Sequence, residues 1–323
     1  MNPKSALIIK VGAIGDAIMA LPLARELKRS GYESITWLGG RDLQTVLALV
    51  PEITEAISLD ERALLRGSKW RAFVEVVSVW RKLWSVNADT VFLLHADARY
   101  RLLVPLRLQK KVRQVRVGAR RHHTFDYSIL AFPDQDETAI GIEPYTLPAV
   151  QKVDANALIC LFPGGARNVL RDDPLRRWPL EHYVRLTERL IAKGQSVAIL
   201  GGPTDSWIEP SFAHLRSKID WQVGALKLDQ SIKFLQTSAL AVSHDAGPLH
   251  MASLANCPVI SLFGPTNSEW VVPLAFRDCT IELEPKLPCQ PCYDGKEYGR
   301  CSNNLCMKLI TPERVLSKIE NRL

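Results

Sequence analysis

Two short apolar runs, each ending in a tight turn, constrain this chain most. The run 239–242 leads into His244-Asp245-Ala246-Gly247-Pro248-Leu249-His250, and a further apolar segment, 251–255, follows. Strand, turn and helix is the natural reading. Gly247 serves the turn, and Pro248 suits the opening of a helix, where its missing N–H costs nothing. Such a helix start presents N–H groups that favour phosphate. Asp245 and His250 flank it with a carboxylate and an imidazole. The next run, 258–263, ends in Gly264-Pro265-Thr266-Asn267, another turn at a strand end. Turns from two neighbouring strands line one crevice, the usual ligand position in open α/β sheets.

The same alternation runs through the whole chain. Residues 6–11 form an apolar strand, and Gly12-Ala13-Ile14-Gly15-Asp16 turns into a helix over 17–29. Its Ile18, Leu21, Leu23, Ala24 and Leu27 recur with helical period, and Gly31 closes it. Strands are predicted over 34–38 and 90–94, with a helix over 42–50. In the second half strands are predicted over 157–162 and 196–200, with a helix over 179–193 stopped by Gly194. Strands alternating with helices imply parallel sheets covered on both faces. The stretch 141–156 holds Pro144 and Pro148 with no clear period and reads as a linker. Two Rossmann-like domains, 1–150 and 151–323, are therefore expected to face each other across a cleft. The second carries a cysteine-rich loop, 288–307, and a terminal helix capped by Thr311 and Pro312, with Leu316 and Ile319 inward.

Length and composition agree. The chain has 323 residues, enough for two domains, and is 47% hydrophobic and 23% charged, as in soluble globular proteins. No apolar run approaches the ~20 residues of a membrane span. The first residues lead straight into a strand and turn rather than a signal peptide, so a cytoplasmic location is expected.

The net charge of +7 is unevenly spread. No acidic residue falls within 98–125, which holds Arg99, Arg101, Arg107, Lys110, Lys111, Arg113, Arg116, Arg120 and Arg121. Such a span attracts phosphates of nucleic acid, lipid or substrate. A solvated basic surface is the plainer alternative. Of seven cysteines, Cys160, Cys257 and Cys279 stand apart, and the first two read as buried small hydrophobes. Cys289, Cys292, Cys301 and Cys306 have the spacing C-x2-C-x8-C-x4-C. Four soft ligands on one loop suit a structural zinc or iron, although the last pair is wide for zinc. Reduced, unligated thiols are the alternative.

Four motifs occur in order: Gly12-x-x-Gly15-Asp16 with Leu21-Pro22, Arg176-Arg177-Trp178-Pro179, Asp245-x-Gly247-x-x-His250, and Phe263-Gly264-Pro265-Thr266. With them the chain resembles glycosyltransferase family 9, the ADP-heptose:lipopolysaccharide heptosyltransferases, over nearly its full length. The resemblance implies a GT-B architecture and an inverting transfer from an ADP-sugar, with no metal or other cofactor in the chemistry. It makes Asp16 the general base for the acceptor hydroxyl, a role that competes with that of a routine helix cap. Asp245, Gly247 and His250 become donor-site residues, with Gly164, Gly165 and Thr266 at neighbouring turns. Arg176, or else Arg177, would stabilise the departing diphosphate. Many relatives have Ser or Thr where Ala246 stands, which leaves one phosphate contact in doubt.

The acceptor implied is a phosphorylated glycolipid of the lipopolysaccharide inner core at the cytoplasmic membrane face. Gly15, Arg99, Arg101, Arg120 and Arg121 are the candidates to meet it. Trp70, Trp80 and Trp84 could join them at an anionic leaflet or sit in the core. Another nucleotide sugar or a protein acceptor stays open. A nicotinamide dehydrogenase is disfavoured. Its G-x-G-x-x-G is missing, and the second strand ends in Gly39-Gly40 where an acidic ribose ligand belongs. A nucleic-acid-binding protein would rest on charge alone.

Overall fold

The protein is described here by a computed structural model covering residues 4–116, 121–136, 140–150, 158–295 and 297–323. Its strands fall into two separate sheets, each wholly parallel. The first contains β1 (Lys4–Ile9), β2 (Tyr32–Gly40), β3 (Glu55–Leu59), β4 (Thr90–Leu93) and β5 (Val112–Gln114), in the order β3-β2-β1-β4-β5. The second contains β6 (Ile159–Phe162), β7 (Val197–Gly201), β8 (Asp220–Val223), β9 (Leu240–His244), β10 (Val259–Leu262) and β11 (Thr280–Ile281), in the order β11-β10-β9-β6-β7-β8. In both sheets the first strand of the unit sits inside, and the chain changes direction across the sheet beside it. That is the Rossmann arrangement, whose ligand crevice lies at the carboxyl ends of the strands flanking the change. The pairs concerned are β1 with β4 and β6 with β9.

The strands are buried on both faces. β1 ends in Leu7, Ile8 and Ile9, and β6, β9 and β10 are buried throughout. Near-continuous apolar runs are what a parallel sheet sandwiched between helices requires. Two compact units result, Met1–Tyr145 with Asn168–Arg171, and Thr146–Arg167 with Asp172–Leu323. Residues 151–156 of the expected linker, 141–156, lie outside the described residues.

The predicted helix over 17–29 is two helices, Ile14–Met19 and Leu21–Arg29. Pro22 near the second start has no N–H to donate back, so the ladder breaks at Ala20 and begins again. The terminal helix, Pro312–Glu320, is capped as expected: Arg314 N donates to the Thr311 hydroxyl at 3.3 Å, and Leu316 and Ile319 are buried. Cys160, Cys257 and Cys279 are all buried. The longest helix among the described residues, Lys69–Lys82, was not legible from periodicity. Its Val79, with Leu83 just beyond its end, packs into the core formed by Leu7, Ile9, Leu59 and Leu93.

Candidate functional site

In the first unit the chain leaves β1 through Lys10, Val11 and Gly12, the last at φ +104°, a conformation that glycine adopts without penalty. This turn delivers Asp16 to the third position of helix Ile14–Met19. Asp16 is not the cap residue: Ala13 occupies that position and offers no side-chain bond. Gly15 is buried beside it. The Asp16 carboxylate lies 3.2 Å from Lys10 Nζ, with the lysine 5% and the aspartate 39% exposed. Lys10 also stands over the Tyr127 ring at 5.3 Å. Burial opposes the lysine's charge, but Asp16 and Tyr127 outweigh it and raise the lysine's pKa.

The neighbouring strand end supplies His95. Val11 N donates to its Nε2 at 2.9 Å, so that nitrogen carries no proton. The ring stacks on Tyr100 at 3.8 Å. Burial first, and then Lys10, pull the His95 pKa down to about 3 against the opposing pull of Asp16 and Asp97. Glu61 accepts from Gly12 N at 2.7 Å, and burial raises its pKa. A half-exposed carboxylate, a buried ammonium and a neutral imidazole thus meet where β1 and β4 end. Such a carboxylate is placed to accept a proton from a hydroxyl arriving from solvent.

The basic span divides into two kinds of residue. Arg107 donates to the carbonyls of Leu83, Trp84 and Val86 at 2.7–2.8 Å, and Lys111 to that of Ala88 at 2.7 Å. These charges tie the chain together. Arg121 pairs with the buried Asp126 and lies over the Phe125 ring. Arg99 pairs with Asp97 at 2.6 Å while remaining 87% exposed. Arg101 is exposed. Arg120 lies outside the described residues.

In the second unit three adjacent strand ends carry the site. After β6 comes Pro163-Gly164-Gly165, with Gly165 at φ +83°. A Cβ on Gly164 would stand 2.4 Å from the Asp205 carboxyl carbon, so glycine is required there. Asp205 accepts from Gly165 N at 2.9 Å and Gly202 N at 2.8 Å, joining the turns after β6 and β7. The position of a Cβ on Gly165 lies 3.4 Å from the Ala246 side chain, so this turn packs on the start of helix Gly247–Leu254. That helix begins at Gly247 with Pro248 second, and Ala246 gives no side-chain cap. His250 is 5% exposed within it.

Arg176 is the hub. Its Nη2 donates to Asp173 at 2.5 Å and its Nη1 to Asp245 at 3.4 Å. Burial opposes its charge, but Asp245, Tyr298 and Asp173 raise its pKa. Arg177 is engaged differently: its Nε donates to Gly165 O at 3.0 Å, its Nη2 pairs with Asp172, and the group stands over the Trp207 ring. Arg177 therefore braces the glycine turn. Among the described residues the buried Arg176 Nε has no hydrogen-bond partner, and neither do the Thr266 and Tyr298 hydroxyls. Buried polar atoms without partners are costly. Phosphate and sugar oxygens would satisfy these.

The cysteine-rich loop closes this end of the sheet. Gln290 Nε2 donates to Gly264 O at 2.9 Å, and the N–H groups of Cys292 and Tyr293 donate to Pro265 O at 3.0 Å. A Cβ on Gly264 would meet Met307 Sδ at 2.5 Å. Tyr293 and Tyr298 pack ring to ring at 4.7 Å, and Tyr298 reaches the surroundings of Arg176 and Asp245. The expected zinc or iron site is not met. Among the described residues no three His, Cys, Asp or Glu side chains gather as a metal-holding group. Cys289 and Cys301 are exposed while Cys306 is buried against Gly264. Backbone bonds and the tyrosine pair fasten the loop instead.

Sequence reasoning had named Asp16, Gly164, Gly165, Arg176, Asp245, Gly247, His250 and Thr266. It missed Lys10, His95, Asp173, Asp205 and Tyr298. Two of these left a signal. Asp205 follows Gly201-Gly202-Pro203, a turn after a strand, and Asp173 precedes Arg176 by three residues.

Residues 143–300 match glycosyltransferase family 9 (heptosyltransferase). The chain is 25% identical to lipooligosaccharide heptosyltransferase 2 of Haemophilus influenzae, covering 98% of this chain and 99% of that protein. It is 28% identical to lipopolysaccharide heptosyltransferase 2 of Escherichia coli, covering 97% of each. Among solved structures, the E. coli ADP-heptose lps heptosyltransferase II superposes with a TM-score of 0.73 at 20% identity, over 98% of both chains. The shared fold is the GT-B pair of Rossmann-like units.

Proposed function

We propose, for a chain whose residues 143–300 match glycosyltransferase family 9 and which is similar over nearly its full length to heptosyltransferases, an inverting transfer of heptose from ADP-heptose to a phosphorylated saccharide. The acceptor in this reading is the lipopolysaccharide inner core or a closely related glycan, met at the cytoplasmic face of the membrane. The names of the relatives and the solved neighbour support the donor and the glycan. One observation carries the reading to this chain: Arg176, held by Asp173 and Asp245 at the crevice of the second sheet, with Tyr298 close by.

In this reading the acceptor hydroxyl attacks the anomeric carbon as its proton passes to Asp16. The bond from that carbon to the diphosphate oxygen breaks, and the electron pair leaves with ADP. Charge builds on the diphosphate, where a preorganised guanidinium is most effective. Arg176 and the N-terminus of helix Gly247–Leu254 supply that stabilisation, with His250 donating to a phosphate oxygen. Gly164 and Gly165 let the backbone come close. Lys10 holds the Asp16 carboxylate in place. Gly15, Arg99 and Arg101 serve the acceptor side. No helix among the described residues is long and apolar enough to cross a membrane, so contact with the acceptor's bilayer is peripheral in this proposal.

The test is a donor screen by calorimetry and turnover, with ADP-heptose against UDP- and GDP-sugars. Turnover with ADP-heptose alone supports the reading. Turnover with a UDP-hexose and none with ADP-heptose rejects the donor while leaving the fold intact.

A further inference from the structure

Helix Lys69–Lys82 is apolar on two opposite faces. Its inner face buries Val79, and Leu83 follows at its end. Its outer face carries Trp70, Phe73, Val74 and Val77, and Trp84 continues the line after the last turn. These are 70%, 57%, 47%, 48% and 78% exposed. Steps of three, one, three and seven residues keep all five on one side of a helix. Trp70 and Phe73 stack at 5.7 Å, which makes one continuous aromatic ledge.

The ledge continues beyond the helix. Trp80 Nε1 donates to Leu102 O at 2.8 Å, and Arg107 caps the carbonyls of Leu83 and Trp84. The 3-10 segments Ala98–Leu103 and Leu106–Lys111 are thereby fixed beside it. They bring Leu102 and Leu106, 62% and 76% exposed. A soluble monomer rarely leaves so many large apolar side chains in one exposed patch without a partner for them.

The charge around the ledge identifies that partner. Lys69, Arg71 and Arg81 are exposed on the helix, and Arg101 lies on the adjoining segment. The helix has one acid, Glu75, and its carboxylate accepts from Asp60 N at 2.8 Å, away from the ledge. Tryptophan and phenylalanine ringed by lysine and arginine is the composition of a surface that lies in a bilayer interface with anionic headgroups. A protein–protein hot spot would share the aromatics, but a single-signed cationic rim fits a uniformly anionic plane best.

We propose that the outer face of helix Lys69–Lys82, with Trp84, Leu102 and Leu106, docks the first unit on an anionic lipid surface. The rings enter the headgroup layer and the basic side chains meet lipid phosphates. The geometry needs no assumption about catalysis. Only its purpose, to hold a lipid-linked acceptor near Asp16, rests on the proposed transfer.

The experiment is co-sedimentation of the full chain with vesicles of phosphatidylcholine alone or mixed with phosphatidylglycerol, together with tryptophan emission. Mixed vesicles should bind the protein and shift its emission to the blue, while phosphatidylcholine alone binds it weakly. Each basic residue near an anionic surface multiplies partitioning about fivefold. W70S/F73S/V77S/W84S and K69E/R71E/R81E should each lose at least about tenfold in binding. All seven side chains are exposed, so folding should survive, and circular dichroism with urea denaturation of each variant checks this. Failure of the wild type to bind mixed vesicles overturns the proposal, as does wild-type binding by the serine variant. So does a concentration-dependent dimer that the serine variant abolishes without any vesicle binding, which would make the ledge a contact between copies. Vesicle binding without ADP-heptose turnover would instead reject the proposed transfer and leave the docking surface standing.

Discussion

Replacing Asp16 by Asn should cause two losses that can be separated. The first is chemical: without the carboxylate the acceptor proton has no base, and kcat should fall by about 10²–10⁴-fold. The second is structural. Lys10 is 5% exposed and its ammonium lies 3.2 Å from Asp16, which is itself 39% exposed. Breaking a fully buried pair costs about 3–5 kcal/mol, and an exposed one about 0–1. With one partner buried and the other half in water, the variant should lose about 1–3 kcal/mol of stability. Adding Lys10→Met removes the stranded charge. Urea denaturation and single-turnover rates should be measured on Asp16→Asn, Lys10→Met and the double variant. Stability should return in the double variant and activity should not, with ADP-sugar affinity unchanged throughout. If activity returned together with stability, Asp16 would be a counter-ion for Lys10 and no base. More than a tenth of wild-type activity in Asp16→Asn would refute the assignment equally.

Other predictions follow from the geometry. His95 has a native pKa near 3 against an ordinary 6.5. The unfolded chain therefore binds a proton over that window and the native protein does not. The His95 contribution is complete above pH 6.5 and is lost as pH falls towards 3, with a slope of up to about 1.4 kcal/mol per pH unit. His95→Gln should flatten the acid limb of a stability–pH curve, and an unchanged limb would reject a neutral native His95. Arg176→Ala and His250→Ala should each weaken ADP-sugar binding about ten- to a hundredfold, and Tyr298→Phe by less, read by calorimetry. Equal affinity in all three would move the donor elsewhere. Gly164→Ala places a methyl group 2.4 Å from the Asp205 carboxyl carbon. It should cost about 1–3 kcal/mol in urea denaturation, and a neutral result would mean that the turn adapts freely. Reversing Arg99 and Arg101 to Glu should spare donor affinity and weaken the acceptor, most visibly at low salt.

The strand ends were the most legible part of the sequence because local chemistry writes them. Gly164 and Gly165 stand where close approach or backbone freedom is needed, and the apolar runs before the turns are the strands. Legibility ended where a residue's role depends on a partner far away in sequence. Lys10 stands in an otherwise apolar run, and nothing local marks it as the buried partner of Asp16. Asp205 is marked in the sequence only as a turn residue; its role appears when the turns after β6 and β7 lie side by side. The ranking of Arg176 over Arg177 also needed coordinates, because one side chain faces Asp245 and the other folds back to Gly165 O. Helix Lys69–Lys82 escaped because apolar residues on both faces erase the amphipathic period. The cysteine spacing suggested a metal, but among the described residues no three ligand side chains gather as a metal-holding group, and the loop is fastened by its backbone to Gly264 and Pro265.

The central claim is that Arg176, anchored by Asp173 and Asp245, receives the diphosphate of an ADP-sugar. The most direct measurement is titration of the wild type and Arg176→Ala with ADP and with UDP, followed by turnover with ADP-heptose. The account predicts that the wild type binds ADP in preference to UDP, that the variant loses about ten- to a hundredfold of that affinity, and that heptose transfer falls with it. Tight ADP binding undiminished in Arg176→Ala, or a wild type that binds UDP and ignores ADP, would contradict it.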